Sequence, residues 1–129
     1  MYDWNKPLLP GSVICSKYNS FDGENRVGIF VVLYDEQSDI QTISSKNIIA
    51  VKLSSKNTCV ENYAVEINKK SCDFLQESSI CCCSKIHVLH KQDQVYKILG
   101  QLPTSVYKSI YKTFTRFQNV LNNQMLNYL

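Results

Sequence analysis

Two constellations in this sequence hold residue types suited to chemistry. The first is a set of cationic and hydroxyl groups at strand ends. Arg26 follows the turn-forming stretch Asp22-Gly23-Glu24-Asn25 and leads into an unbroken apolar run from Ile29 to Tyr34, while Ser54 and Lys56 follow another apolar run. A charge fixed at the rim of a rigid strand makes a better site element than one on a free loop. If the two strands are antiparallel neighbours, Arg26 and Ser54 meet at the same end of the sheet. A guanidinium offers several fixed donors and stays ionised, and a hydroxyl donates or accepts, so the pair suits a phosphate. The plainer reading is a solvated strand-edge arginine that pairs with Asp22 or Glu24.

The second constellation is Cys81-Cys82-Cys83-Ser84-Lys85-Ile86-His87-Val88-Leu89-His90. Zinc prefers sulfur and imidazole ligands, but none of the common finger or ribbon spacings is present. A Cys–His nucleophile pair has no elbow motif to support it. On a regular strand Cys81 and Cys83 share a face with Lys85 and His87, while Cys82 joins Ile80, Ser84 and Ile86 on the other. A cysteine-lined core strand is the economical reading, because free cysteine packs as a small hydrophobe.

The elements that position these groups follow from composition and period. With 129 residues, 44% hydrophobic and 19% charged, the chain is an ordinary globular protein and is read as one domain over residues 1–129. The net charge of +3 permits an anionic partner without requiring one. No apolar stretch approaches the ~18 residues of a membrane span, and the first residues lack the basic-then-apolar pattern of an export signal. A cytoplasmic chain away from membranes is expected, with Cys15, Cys59, Cys72, Cys81, Cys82 and Cys83 all reduced and no metal or other cofactor bound. With four glycines and neither a phosphate-binding loop nor a dinucleotide fingerprint, nucleotide cradling is not indicated.

The run from Ile29 to Tyr34 is too short for a typical helix and rich in β-branched and aromatic residues, as a strand buried on both faces requires. Short strands are also expected over Ser12 to Lys17, Asn47 to Leu53, Tyr63 to Ile67, Ile80 to Val88 and Tyr96 to Leu102, with a turn or short helix over Asp73 to Ser78. From Pro103 the period changes. Val106, Ile110, Phe114, Phe117, Leu121 and Met125 form one stripe of an amphipathic helix, and Pro103 suits its first turn. Lys108, Lys112 and Arg116 form a basic row that reads as a solvated face. The fold class is mainly β with α: a small, strongly curved antiparallel sheet or barrel, closed by a long C-terminal helix.

The order of these elements resembles the MazF/PemK family of toxin endoribonucleases, over roughly Lys6 to Tyr128. The resemblance lies in the Pro/Gly-led strand Pro10-Gly11-Ser12-Val13-Ile14, in Gly23-Glu24-Asn25-Arg26-Val27-Gly28-Ile29-Phe30, in Ala50-Val51-Lys52-Leu53-Ser54-Ser55, in the late strand Ser79 to Leu89, and in the terminal helix. Val27-Gly28 stands where members carry a proline after the arginine. Cys82 and Ser84 match positions that hold arginine and aspartate in some members, and the later family arginine falls near His87. The resemblance implies metal-independent cleavage of single-stranded RNA by attack of a ribose 2′-hydroxyl on the adjacent phosphate. It also implies a homodimer whose RNA groove is occupied by a disordered antitoxin segment. Arg26, Ser54 and His87 are then the candidate catalytic residues, with Asp22 or Glu24 as weaker bases than His87. Asp22, Gly23, Asn25, Ser55, Lys56, Cys82 and Ser84 are candidate substrate contacts. The alternative is a catalytically inactive module of the same fold that binds RNA or a partner peptide.

Overall fold

The computed structural model describes residues 6–20, 22–42, 45–55 and 61–127. Six strands form one sheet: β1 (Ser12–Asn19), β2 (Asn25–Asp35), β3 (Asn47–Ser54), β4 (Ala64–Ile67), β5 (Ser79–His90) and β6 (Val95–Gln101). Their order is β4-β5-β3-β2-β1-β6, and each neighbouring pair is antiparallel. A short helix α1 (Lys91–Gln94) joins β5 to β6, and α2 (Thr104–Leu126) ends the described chain. The expected architecture of curved antiparallel sheet and terminal helix is the one observed, with strand ends moved by a few residues.

β2 is buried on both faces, as its composition demands. Val31 and Leu33 join Val13, Val51, Leu53, Cys81 and Cys83 beneath Ile110 of α2, while Phe30 and Val32 join Ile14, Tyr18, Ile48, Ala50 and Leu89 on the opposite face. Tyr34, the last residue of the apolar run, emerges at 39% exposure. Pro103 precedes the first turn of α2, where a missing amide donor costs nothing. Ile110 is fully buried, with Val106 and Phe114 packed beside it, and the Phe117 ring meets Tyr63 at 5.0 Å. Further along, the same stripe leaves the body, and Met125 is 66% exposed. No described helix is long and apolar enough to cross a membrane.

Two corrections to the sequence reading fall on β5. Cys82 is disulfide-bonded, not reduced, and Cys59 lies outside the described residues. Cys82 is 2% exposed and outside both core clusters, whereas its neighbours Cys81 and Cys83 are free thiols packed beneath α2. The second correction is one of phase. The β3–β5 register shifts between Val51, opposite Ile86, and Leu53, opposite Cys81, so β5 bulges across from Lys52. Cys81, Cys83 and Ile86 therefore pack on the α2 side, and His87 turns to the other face, against Phe30.

Gly100 on β6 takes a side chain's place in the packing: a Cβ there would lie 2.5, 2.7 and 2.8 Å from Phe74 ring atoms. A ring wedged under a neighbouring segment cannot yield as a flexible chain end does. Gly100→Ala is expected to destabilise the fold by about 1–3 kcal/mol through overpacking, measured as a lower midpoint in urea unfolding.

Candidate nucleic-acid interface

The β1–β2 turn organises itself through Asp22. Its carboxylate accepts from the Ser20 hydroxyl and from the Glu24 amide at 3.2 Å, and Gly23 supplies the left-handed residue with φ +83°. The Ser20 hydrogen bond, followed by the Glu24 amide and the Arg26 charge, holds the Asp22 carboxyl below the usual carboxylate range. Arg26 pairs with Asp22 at 3.0 Å and with Glu24 at 3.5 Å, both through Nη2, and its side chain remains 51% exposed. A guanidinium carries five N–H donors, so two contacts at one nitrogen leave most of its binding capacity outward.

Antiparallel pairing brings Ser54 to the same end. The β2–β3 ladder ends at Ile29 opposite Leu53, with Ser54 one residue beyond on β3 and Arg26 three beyond on β2. Ser54 and Ser55 line a cleft of about 310 Å3 whose other walls include Cys15, Ile29, Phe74, Glu77 and Lys97. Lys56 lies outside the described residues.

His87 sits elsewhere on the face that carries Arg26. It stands opposite Ala50, which is about 13 Å along β3 from Ser54 at ~3.3 Å per residue. Its ring meets Phe30 at 5.1 Å and Tyr18 at 5.6 Å, both edge-on. Burial first, then the charges of Lys52 and Lys85, push its pKa below 6.5. Tyr18 connects the two ends: it is the cross-strand partner of Arg26, and the Lys52 ammonium stands 4.7 Å from its ring centroid. A strip of cations and rings thus runs from Arg26 over Tyr18 and Lys52 to His87. Tyr18 and Phe30 are buried, so the rings brace the strip while its cations and the half-buried His87 ring are what it presents to a polyanion.

The cysteine–histidine alternatives do not converge. Cys81 and Cys83 are buried under α2, His87 faces away from them, and His90 is within 3.2 Å of Asp93. The basic row on α2 is partly absorbed as well, since Arg116 donates to the Asn62 carbonyl and stacks on Tyr63 at 5.4 Å.

No protein-family model matches the chain, and no curated protein matches it. Solved structures do. An endoribonuclease in complex with its cognate antitoxin, from a mycobacterial species, superposes with TM-score 0.65 at 13% identity, over 87% of this chain and 95% of that one. The Mycobacterium tuberculosis toxin MazF-mt6 gives 0.62 at 9% identity, over 84% and 96%. A further mycobacterial endoribonuclease gives 0.61 at 13%, over 88% and 93%. The fold is MazF-like.

In this MazF-like sheet the expected site residues fall into two groups. Arg26, Asp22, Gly23 and Asn25 cluster at the β1–β2 turn, near the β3 end that carries Ser54 and Ser55. His87 and Ser84 belong to β5, and Cys82, buried and disulfide-bonded, offers little surface there. Sequence reasoning passed over Tyr18 and Lys52, which link the groups. The available signal was alternation: Lys52 is the one charged residue inside an otherwise apolar strand, with Ser54 two positions on.

Proposed function

We propose that this chain is a toxin-type endoribonuclease that cleaves single-stranded RNA without a metal and is restrained by a segment of a cognate antitoxin. The reading rests on one observation above others: Arg26 and Ser54 stand at one end of a MazF-like sheet, and the face that carries Arg26 also carries a strip of basic and aromatic residues reaching His87. In the proposed reaction the ribose 2′-hydroxyl gives its proton to neutral His87 and its oxygen bonds to the adjacent phosphorus. The bond from phosphorus to O5′ breaks, O5′ takes up a proton from water, and the imidazolium of His87 returns its proton to the hydroxide so formed. The products are a cyclic phosphate and a 5′-hydroxyl, so the net change moves a proton from O2′ to O5′ with no oxidant or co-reactant. Arg26 binds the phosphate backbone through its paired donors, and Ser54 fixes a phosphate oxygen or the nucleophile by hydrogen bonding. The lowered pKa of His87 keeps it in the base form near neutral pH.

A homodimer belongs to the same proposal, and the exposed apolar end of α2 at Leu121, Met125 and Leu126 is consistent with further assembly. Light scattering at tens of micromolar, the order of magnitude at which weak interfaces populate, is expected to report the dimer. For the activity, the chain is induced alone in bacteria and total RNA is probed for new 5′-hydroxyl ends. Such ends are the expected result. If none form while the purified protein still binds single-stranded RNA or a peptide, the non-catalytic module is the correct reading.

A further inference from the structure

Arg26 stands at the turn and Ser54 about 13 Å along β3 from the cross-strand partner of His87, and a reacting phosphate must lie within reach of both its base and its charge. We propose that Lys52 is the catalytic cation at the scissile phosphate. This inference rests on the endoribonuclease reading and assigns the reacting phosphate to a position over Lys52, between the Arg26 end of the sheet and His87.

Three features of Lys52 carry the assignment. First, it lies on β3 two residues from Ser54 and two from Ala50, the partner of His87, which puts about 7 Å of strand on either side. Of the cations on this face, Arg26 lies out at the turn and Lys85 on the bulged strand; Lys52 is the one between the two ends of the strip. Second, its ammonium is positioned. It stands over the Tyr18 ring at 4.7 Å, Tyr18 is 9% exposed, and the ring is itself braced edge-on by Phe30 at 5.5 Å. A cation fixed in advance needs no reorganisation as negative charge develops on the phosphorane. Third, the β2 backbone is cut away beneath it. Gly28 lies under the lysine stem, and a Cβ there would be 3.0 Å from Tyr18 Cε1 and 3.2 Å from Lys52 Cε. Among the described residues Lys52 has no carboxylate partner, so its charge is not already neutralised.

The same cation acts on the base. His87 is faced by Tyr18 from β1, Phe30 from β2, Lys52 from β3 and Lys85 along β5; after burial, the Lys52 charge is the leading cause that disfavours the imidazolium. One side chain therefore stabilises the transition state and keeps its neighbour able to accept a proton.

The test uses the purified full chain and a fluorescent single-stranded RNA pool, with rates measured from pH 5 to 9. Lys52→Met keeps the stem and removes the charge. It is expected to lower kcat roughly 10²- to 10³-fold, the usual effect of losing one preorganised transition-state group, with KM moved less than tenfold. The residual activity should lose its acid limb at a higher pH than the parent, because His87 is freed of a repelling charge. Lys52→Arg should stay within about tenfold of the parent, while Gly28→Ala, which crowds the stem, should fall between the two. Circular dichroism and thermal unfolding establish that each variant is folded. If the parent cleaves and folded Lys52→Met cleaves within threefold of it with an unmoved acid limb, this assignment is wrong while the endoribonuclease reading stands. A parent that cleaves no RNA overturns that reading, and this assignment with it.

Discussion

Arg26→Ala is expected to slow RNA cleavage about 10²-fold or more in a protein whose unfolding midpoint does not change. The side chain is half-exposed at the rim of β2 and contributes to neither core cluster, so its removal leaves the packing intact. In the free protein it is engaged by Asp22 and Glu24, and this decides what the experiment can distinguish. Ion pairs between exposed partners are weak, and a phosphate that takes two parallel hydrogen bonds from a guanidinium competes well against them. If Arg26 binds RNA, its loss should cost at least about 10²-fold in kcat/KM. The slope of log affinity against log salt should also fall by about 0.7, the signature of one lost contact to a single strand. Arg26→Lys keeps the charge and loses the fork, so it should recover the salt slope but only part of the rate. Ser54→Ala removes one neutral hydrogen bond and should cost about tenfold. Full activity in both alanine variants would mean that Arg26 serves only its turn, and that the strip around Lys52 and His87 binds RNA without it.

The fold was legible where local pattern and tertiary environment agree. The apolar run of β2 could only be a strand buried on both faces, and the stripe from Val106 to Phe117 could only be a helix packed on something apolar. The site was legible at the strand ends, because turn chemistry marks where Arg26 and Ser54 must lie. It was not legible along β5. A bulge there reverses which side chains face α2, and nothing in Cys81 to His87 announces the extra residues; the bulge is set by how β5 meets β3. Lys52 and Tyr18 were hidden for a related reason. Their meeting depends on the registers of three strands at once, of which a single sequence reveals none directly. Lys91 was hidden by its own composition: in the polar stretch His90-Lys91-Gln92-Asp93 a lysine reads as solvent-facing, yet it is buried completely.

That burial leads to the largest expected effect on stability. Lys91→Met should destabilise the protein by about 3–5 kcal/mol, a large fraction of the roughly 5–15 kcal/mol that a domain usually has. The ammonium donates to Asp35 Oδ2 at 2.8 Å, to Gln37 Oε1 and to the Lys6 carbonyl at 3.4 Å. Asp35 in turn accepts from the Leu8 amide at 2.6 Å and the Gln37 amide at 2.9 Å, and both charged side chains are 0% exposed. Methionine would fill the volume of the lysine stem, so little of the loss comes from packing. The cost arises from the carboxylate left without its counter-charge in a place water does not reach, where desolvation is no longer offset. Asp35→Asn in the Lys91→Met background tests this account. The amide removes the stranded charge while its oxygen still accepts from Leu8 and Gln37, so the double variant should be more stable than Lys91→Met alone. Urea unfolding measures each corner of the cycle, with an unchanged slope showing that only stability has moved. The network ties the lead at Leu8 and the start of α1 to the far end of β2, about 30 Å of strand from Arg26. RNA cleavage by whatever fraction stays folded should therefore be that of the parent, and a rate that fell in step with stability loss would show the two ends of β2 to be coupled.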